Sequence, residues 1–339
     1  MKAGARMRAL LHVGPFNLPD SAVDQLQNSC GEVESVTTCD ATRLDELADT
    51  EFDILVAEEI PHNLARWPRL RFVQLVSAGI NHLDGHPVWR SDIVVANASG
   101  THSVPIAQYV TCAVLMLAHH MPRAIAPETT RHWQRDRLEC TIVRGQTVGI
   151  IGYGSIGREC ARQLHALGMR VVCMKRDPAN RRDEGFTAWP GTGDPNGEIP
   201  ERWNGPKQLH ELLPQCDAIV VTTPATTSTL GMIGRKEFAL MKKTAVLVNV
   251  ARGGIVDEEE LAEAVRTHSL AGAVVDCFST EPISLDHAYF DTPRIILTPH
   301  VAGVCEDFWP IMAKLVDENV RRYVAGRPVL NRVDVRHGY

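Results

Sequence analysis

Three short apolar runs in this 339-residue sequence are each followed by residues able to do chemistry. Val248-Asn-Val-Ala leads to Arg252 and two glycines; Gly272-Ala-Val-Val leads to Asp276 and then Glu281-Pro282; Ile296-Leu-Thr-Pro leads to His300. In open α/β sheets ligands bind just outside the carboxyl ends of the strands, so these ends offer an arginine, a glutamate and a histidine to one crevice. A histidine titrating near neutrality can give a proton and take it back. A carboxylate beside it favours the imidazolium and fixes the ring. Arginine's planar fork can hold a carboxylate while polarising a neighbouring carbonyl oxygen. An Arg–Glu surface pair and a capped strand end are the plain alternative, which three successive strand ends argue against. Asp276 has two readings, a contact to a bound cofactor or a tie to backbone.

A second constellation is Thr147-Val-Gly-Ile-Ile-Gly152-Tyr-Gly154-Ser-Ile-Gly157, a strand running into a glycine-rich turn and then a helix expected from Arg158 to Leu167. Gly152 permits the tight turn, Gly154 lets backbone approach a pyrophosphate, and Gly157 allows helix and strand to pack closely. The anion would sit on free N–H groups at the helix N-terminus. The pattern alone is weak, but strand before and helix plus strand after make it specific for a dinucleotide.

The elements that must position these residues form two series. Met7 to Val13, Asp53 to Ala57, Phe72 to Val76 and Ile93 to Asn97 read as strands of a first unit. Thr147 to Ile151, Arg170 to Met174, Ala218 to Thr223, Ala245 to Val250, Gly272 to Cys277 and Ile295 to Thr298 give a second, six-stranded sheet. Between them an apolar helix runs from about Val104 to Met121, with Ser103 as its N-cap and Pro105 in its first turn. Asp183 to Pro206, rich in Gly, Pro and Asn, reads as a surface loop. The acid run Asp257 to Glu260 reads as a helix start with Asp257 as N-cap. The amphipathic segment from Phe308 is too small to stand alone and is expected to pack back on the first unit. The fold class is therefore α/β with two Rossmann-like doubly wound domains. A discontinuous substrate domain, 1–103 and 301–339, would hold an inserted dinucleotide-binding domain, 104–300.

Composition narrows the function classes. A formal net charge of −6 lacks the basic excess that phosphate-backbone contacts require, so nucleic acid is excluded as a partner. No apolar run approaches the roughly 18 residues of a membrane span. The opening residues are too short and too soon broken for a signal-peptide core, so a cytoplasmic chain is expected. Nine scattered cysteines without a C-x-x-C pair indicate neither a disulfide framework nor zinc. His119-His120 resembles a metal pair only until one notes that adjacent helix residues point apart, and no metal is expected.

Taken together, Ser77-Ala-Gly-Ile-Asn-His-Leu-Asp84, Asn97-Ala-Ser-Gly-Thr, the glycine fingerprint, Thr222-Thr-Pro224, the Arg252 segment, Glu281-Pro282 and Thr298-Pro-His300 resemble the D-isomer-specific 2-hydroxyacid dehydrogenases in order and spacing over nearly the whole chain. The resemblance implies hydride transfer between NAD(P) and a 2-keto or 2-hydroxy acid. It makes His300 the general acid/base, Glu281 its partner and Arg252 the substrate-binding cation, with backbone N–H groups of Ser77, Ala78 and Gly79 holding the substrate carboxylate. Cofactor contacts are expected from Gly152, Gly154, Ser155, Ile156, Gly157, Thr223, Pro224, Val250, Ala251, Asp276, His300 and Gly303. A homodimer formed through the nucleotide domains is implied as well. Gln108 stands where many relatives have glutamate, which removes a charge near a helix end; Trp133 and Trp309 receive no role. Two other readings compete. A dinucleotide-binding regulator of the same fold would show a peptide-binding cleft or extended tails, and formate dehydrogenases have glutamine in place of Glu281.

Cofactor choice rests on the tip after Arg170-Val-Val-Cys-Met174. An aspartate there would bind the ribose hydroxyls of NAD and repel the extra phosphate of NADP. This chain has Lys175 and Arg176, with Asp177 next, so NADP(H) is favoured over NAD(H).

Overall fold

The computed structural model describes residues 7–12, 24, 28, 35–38, 44, 51–125 and 139–334. The chain forms two compact units, one of 1–102, 184–190 and 305–339, the other of 103–183 and 191–304. Residues 103 and 301–304 therefore go with the second unit, and Glu184–Pro190 goes with the first.

The first unit is a five-stranded parallel sheet in the order β2-β1-β3-β4-β5, from β1 (Arg8–His12), β2 (Ser35–Thr38), β3 (Ile54–Ala57), β4 (Phe72–Leu75) and β5 (Val94–Ala96). Its strands bury alternate residues on opposite faces: Ala9, Leu11, Ile54 and Val56 in one cluster, Leu10, Leu55 and Ala57 in the other. The helix Phe308–Val324 covers the first of these faces through Ile311, Met312, Leu315 and Val316. Trp309 packs there against Phe308, ring centres 4.9 Å apart, while Trp133 lies outside the described residues. Strand β2 was not expected: Ser-Val-Thr-Thr lies at the sheet edge and carries a single aliphatic residue.

The second unit holds seven parallel strands, not six, in the order β12-β11-β10-β9-β6-β7-β8. They are β6 (Thr147–Ile151), β7 (Arg170–Met174), β8 (Arg202–Asn204), β9 (Ala218–Val221), β10 (Val246–Asn249), β11 (Gly272–Val275) and β12 (Ile295–Leu297). The chain reverses its winding between β6 and β9, the switch point where ligands bind outside strand ends. Both faces are again apolar, Val148, Ile150 and Val220 on one, Ile151, Ile219 and Val221 on the other. The extra strand is Arg-Trp-Asn at the edge beyond β7, inside the stretch expected to be a surface loop.

Three further expectations are corrected. The helix Ser155–Ala166 begins three residues earlier than expected, so Gly157 lies within its first turn, and Gly168 at φ +88° closes it. Ser103 is the first residue of the helix Ser103–Ala118, not its cap. That helix ends before Met121, the chain turning at His120 in a left-handed conformation, φ +52°. Asp257 does cap the helix Glu258–Arg266, accepting the Glu260 N–H at 3.0 Å.

Candidate active site

The glycine-rich turn follows β6 and is shaped by close approach. Gly152 sits at φ +102°, and a Cβ there would lie 2.6 Å from the Thr223 nitrogen at the end of β9. The Thr222 hydroxyl donates to the Gly152 carbonyl at 2.6 Å, which ties the two strand ends together. A Cβ on Gly157 would meet that same carbonyl at 2.2 Å. At Gly154 a Cβ would meet nothing within 4 Å, so the backbone stands open to a ligand, at the N-cap of the helix begun by Ser155 and Ile156. An open glycine over a helix N-terminus fits the pyrophosphate of a dinucleotide. Among the described residues no group of three or more His, Cys, Asp or Glu side chains is arranged to hold a metal ion.

At the tip of β7 the two cations behave differently. Lys175 donates its ammonium to the Asn180 carbonyl at 2.5 Å, and partial burial, then the nearby Arg158, hold its pKa below the usual lysine range. Arg176 is exposed. Asp177 accepts the Ala179 N–H at 3.0 Å and is spent on its own turn.

The three strand ends come together by register. Asn249 pairs with Val275 and Val275 with Leu297, so the segments after β10, β11 and β12 leave the sheet side by side. A Cβ on Gly253 would lie 2.0 Å from the Phe278 carbonyl carbon; only glycine lets the β10 turn press against the β11 turn. This sets Arg252 beside the segment that carries Glu281, close enough for its charge to act on that carboxylate. Val250 and Ala251 are buried at the β10 end, Arg252 is half-buried, and its Nη1 donates to the Ala251 carbonyl at 2.7 Å.

His300 Nδ1 lies 2.8 Å and 3.0 Å from the two Glu281 oxygens. A carboxylate on Nδ1 keeps the proton there and leaves Nε2 for exchange with a ligand. Partial burial alone would raise the Glu281 pKa, but His300, the Phe278 N–H donating at 2.9 Å and the Arg252 charge outweigh it and hold it low. The pair thus survives acidification until the pH falls below the ordinary carboxylate range, and only then is lost. Glu281→Gln removes the carboxylate charge 2.8 Å from the proton-donating ring, so keto-acid reduction should fall off at lower pH than in the wild type. Superimposable pH–rate profiles would show that the pair does not govern the chemistry.

Asp276 is fully enclosed and serves backbone. It accepts the Thr298 hydroxyl at 2.6 Å and the N–H groups of Val301 and Ala302 at 2.9 Å each. This grip holds His300 at φ +55°, a left-handed conformation costing a non-glycine residue about 1–2 kcal/mol. Gly303, half-buried, follows in the same turn. The Tyr109 hydroxyl lies 2.5 Å from that of Thr298, and burial pushes its pKa up to about 12. Tyr109 and Thr298 were not singled out in sequence as members of this network, because their contact spans 189 positions.

In the first unit, Ser77, Ala78 and Gly79 follow β4. The Ser77 hydroxyl donates to the Gly79 carbonyl at 3.0 Å, and Asn97 Nδ2 donates to the Ala78 carbonyl at 3.0 Å.

Residues 111–302 match the family described as D-isomer specific 2-hydroxyacid dehydrogenase, NAD binding domain. The (S)-sulfolactate dehydrogenase of Chromohalobacter salexigens is 35% identical over 268 residues, covering 78% of this chain and 81% of that protein. The D-3-phosphoglycerate dehydrogenase of Archaeoglobus fulgidus is 29% identical over 268 residues, 78% of this chain; the match spans about half of that relative, 47% of its length. A D-isomer specific 2-hydroxyacid dehydrogenase from Xanthobacter autotrophicus Py2, crystallised with NADPH and MES, superposes with a TM-score of 0.80 at 26% identity, over 97% of this chain and 100% of that one. The chain belongs to the D-isomer specific 2-hydroxyacid dehydrogenase family. By class it is an NAD(P)-dependent oxidoreductase of 2-hydroxy and 2-keto acids.

Proposed function

We propose that this enzyme interconverts a 2-keto acid and its 2-hydroxy acid with His300 as general acid/base, Glu281 as the carboxylate that orients and charges it, and Arg252 as the cation for the substrate carboxylate. The observation that carries the reading is the 2.8 Å His300–Glu281 contact at neighbouring strand ends that also present Arg252. A dinucleotide held at the Gly152–Gly157 turn would supply the hydride for the carbonyl carbon, or accept it from the alcohol. His300 delivers the matching proton to the carbonyl oxygen, and Glu281 stabilises its charged form. Arg252 binds the carboxylate through its fork and polarises the carbonyl.

The substrate is sought with a panel of glyoxylate, hydroxypyruvate, pyruvate, phenylpyruvate and branched, phosphonate and sulfonate keto acids, each with NADPH and NADH. The sulfonate is included because a 35%-identical relative is a sulfolactate dehydrogenase. Turnover of none of them, by protein that binds a dinucleotide, would defeat the reading. We further propose a cytoplasmic homodimer, which a monomeric mass in sedimentation or recovery outside the cytoplasm would contradict.

NADP(H) is the proposed cofactor, because the β7 tip carries two cations, Lys175 and Arg176, where an aspartate would favour NAD(H). The relative from Xanthobacter autotrophicus was crystallised with NADPH, which agrees. Replacing Lys175 and Arg176 together by alanine should raise KM for NADPH by about tenfold or more and leave KM for NADH within a few-fold, since charge-assisted contacts to the phosphate are lost. A wild type that prefers NADH, or equal loss of both cofactors, would defeat the assignment.

A further inference from the structure

Asp183, Gly193 and Asp194 turn polar groups toward the glycine-rich turn and the helix that follows it. Tyr153, between Gly152 and Gly154, is 1% exposed, and its phenol donates to the Asp194 carboxylate at 2.8 Å. Arg158, directly after Gly157, is equally buried. Its guanidinium lies over the Tyr153 ring, 5.0 Å from the centre, and donates to the carbonyls of Asp194 and of Arg181, the latter at 2.8 Å. Its Nε lies 3.3 Å from the Asp183 carboxylate. Glu159, wholly enclosed, accepts the Gly193 N–H at 2.6 Å in addition to Arg162 and Gln163. Asp194, itself buried, also accepts the N–H groups of Glu198 and Ile199 at 2.9 and 3.2 Å.

These contacts bear on the turn because glycine cannot fix it. Glycines at 152, 154 and 157 leave the backbone permissive, so a defined placement of its N–H groups depends on the contacts around it. The Thr222 hydroxyl and the Met174 carbonyl hold Gly152, and Tyr153 and Arg158, which flank the turn's other residues, are both anchored on Asp194. A binding loop held in its bound shape before the ligand arrives saves the ligand the cost of ordering it.

We propose that Asp194 is a positioning residue for dinucleotide binding: through the Tyr153 hydroxyl and through its own carbonyl on Arg158 it fixes the Gly152–Gly157 turn that holds the pyrophosphate. Asp194 touches no reacting atom. The inference rests on the reading that this turn holds the dinucleotide.

The test uses the full chain and two variants, Tyr153→Phe, which removes only the hydroxyl, and Asp194→Asn, whose amide nitrogen in place of Oδ2 faces the Tyr153 and Ile199 donors. ADP-ribose, which carries the pyrophosphate but no nicotinamide, is titrated by calorimetry, and melting temperatures are recorded. Tyr153→Phe should weaken ADP-ribose about tenfold, Asp194→Asn at least as much, and the double variant little more than either, because they break one shared contact. KM for NAD(P)H should rise by the same factor, with kcat at saturating dinucleotide and KM for the keto acid within about threefold of wild type. If Asp194→Asn does not fold, Tyr153→Phe alone decides. Folded Tyr153→Phe with wild-type ADP-ribose affinity would overturn the proposal, as would a uniform loss of all kinetic constants in step with melting temperature. Failure of the wild type itself to bind either ADP-ribose or its 2′-phosphate would instead defeat the dinucleotide reading, and this inference with it.

Discussion

Replacing His300 by asparagine is expected to lower kcat for keto-acid reduction by about 10²–10⁴-fold, the usual contribution of a positioned proton donor. Asparagine is the informative substitution for a structural reason. The residue stands at φ +55°, a conformation that asparagine tolerates better than most side chains, so the turn gripped by Asp276 keeps its shape. Asparagine can still hydrogen-bond to Glu281, but it cannot titrate. The dinucleotide, held at the glycine-rich turn, should bind the variant within a few-fold of wild type. Turnover reduced by less than about fivefold would remove His300 from the acid/base role, since that role commands at least about a hundredfold.

Arg252→Lys carries the second large effect. Lysine keeps the positive charge that lowers Glu281, but it presents a point charge in place of a planar fork. A charged hydrogen bond contributes about 1.5–3 kcal/mol, so kcat/KM for the keto acid should fall by about 10- to 100-fold. Most of the loss should lie in KM for the keto acid, and a smaller part in kcat, because the same fork polarises the carbonyl. KM for NAD(P)H should hardly move. Unaltered constants for the keto acid would place Arg252 outside the substrate site.

Most of the fold was legible because both sheets are buried on both faces. Each central strand then reads as an unbroken apolar run, as Val148-Gly-Ile-Ile and Ala218-Ile-Val-Val do. The two strands that escaped, Ser35–Thr38 and Arg202–Asn204, are edge strands in which backbone pairing defines the element and the side chains give little apolar signal. The catalytic candidates were legible for another reason. Parallel register places the residues that follow neighbouring strands side by side at the edge of the sheet where ligands bind, as the His300–Glu281 contact illustrates. What sequence could not show were pairings set by tertiary packing. Tyr109 meets Thr298 across 189 positions, and Tyr153 meets Asp194 from within a stretch without periodicity. Lys175 illustrates the same limit: its place at the β7 tip was readable, but its bond to the Asn180 carbonyl was not.

The central claim is that hydride passes between the cofactor and C2 of a 2-keto acid on this chain. Its most direct measurement uses NADPH and NADH deuterated at either face of nicotinamide C4, mixed with the enzyme and the active member of the keto-acid panel, with the product read by mass spectrometry. One deuterium is expected on C2 of the 2-hydroxy acid from one face of the cofactor and none from the other, with the transfer slowed by about 10²–10⁴-fold in His300→Asn. A hydroxy acid formed without deuterium from either face, or protein that binds the cofactor but transfers nothing to any keto acid, would contradict the claim.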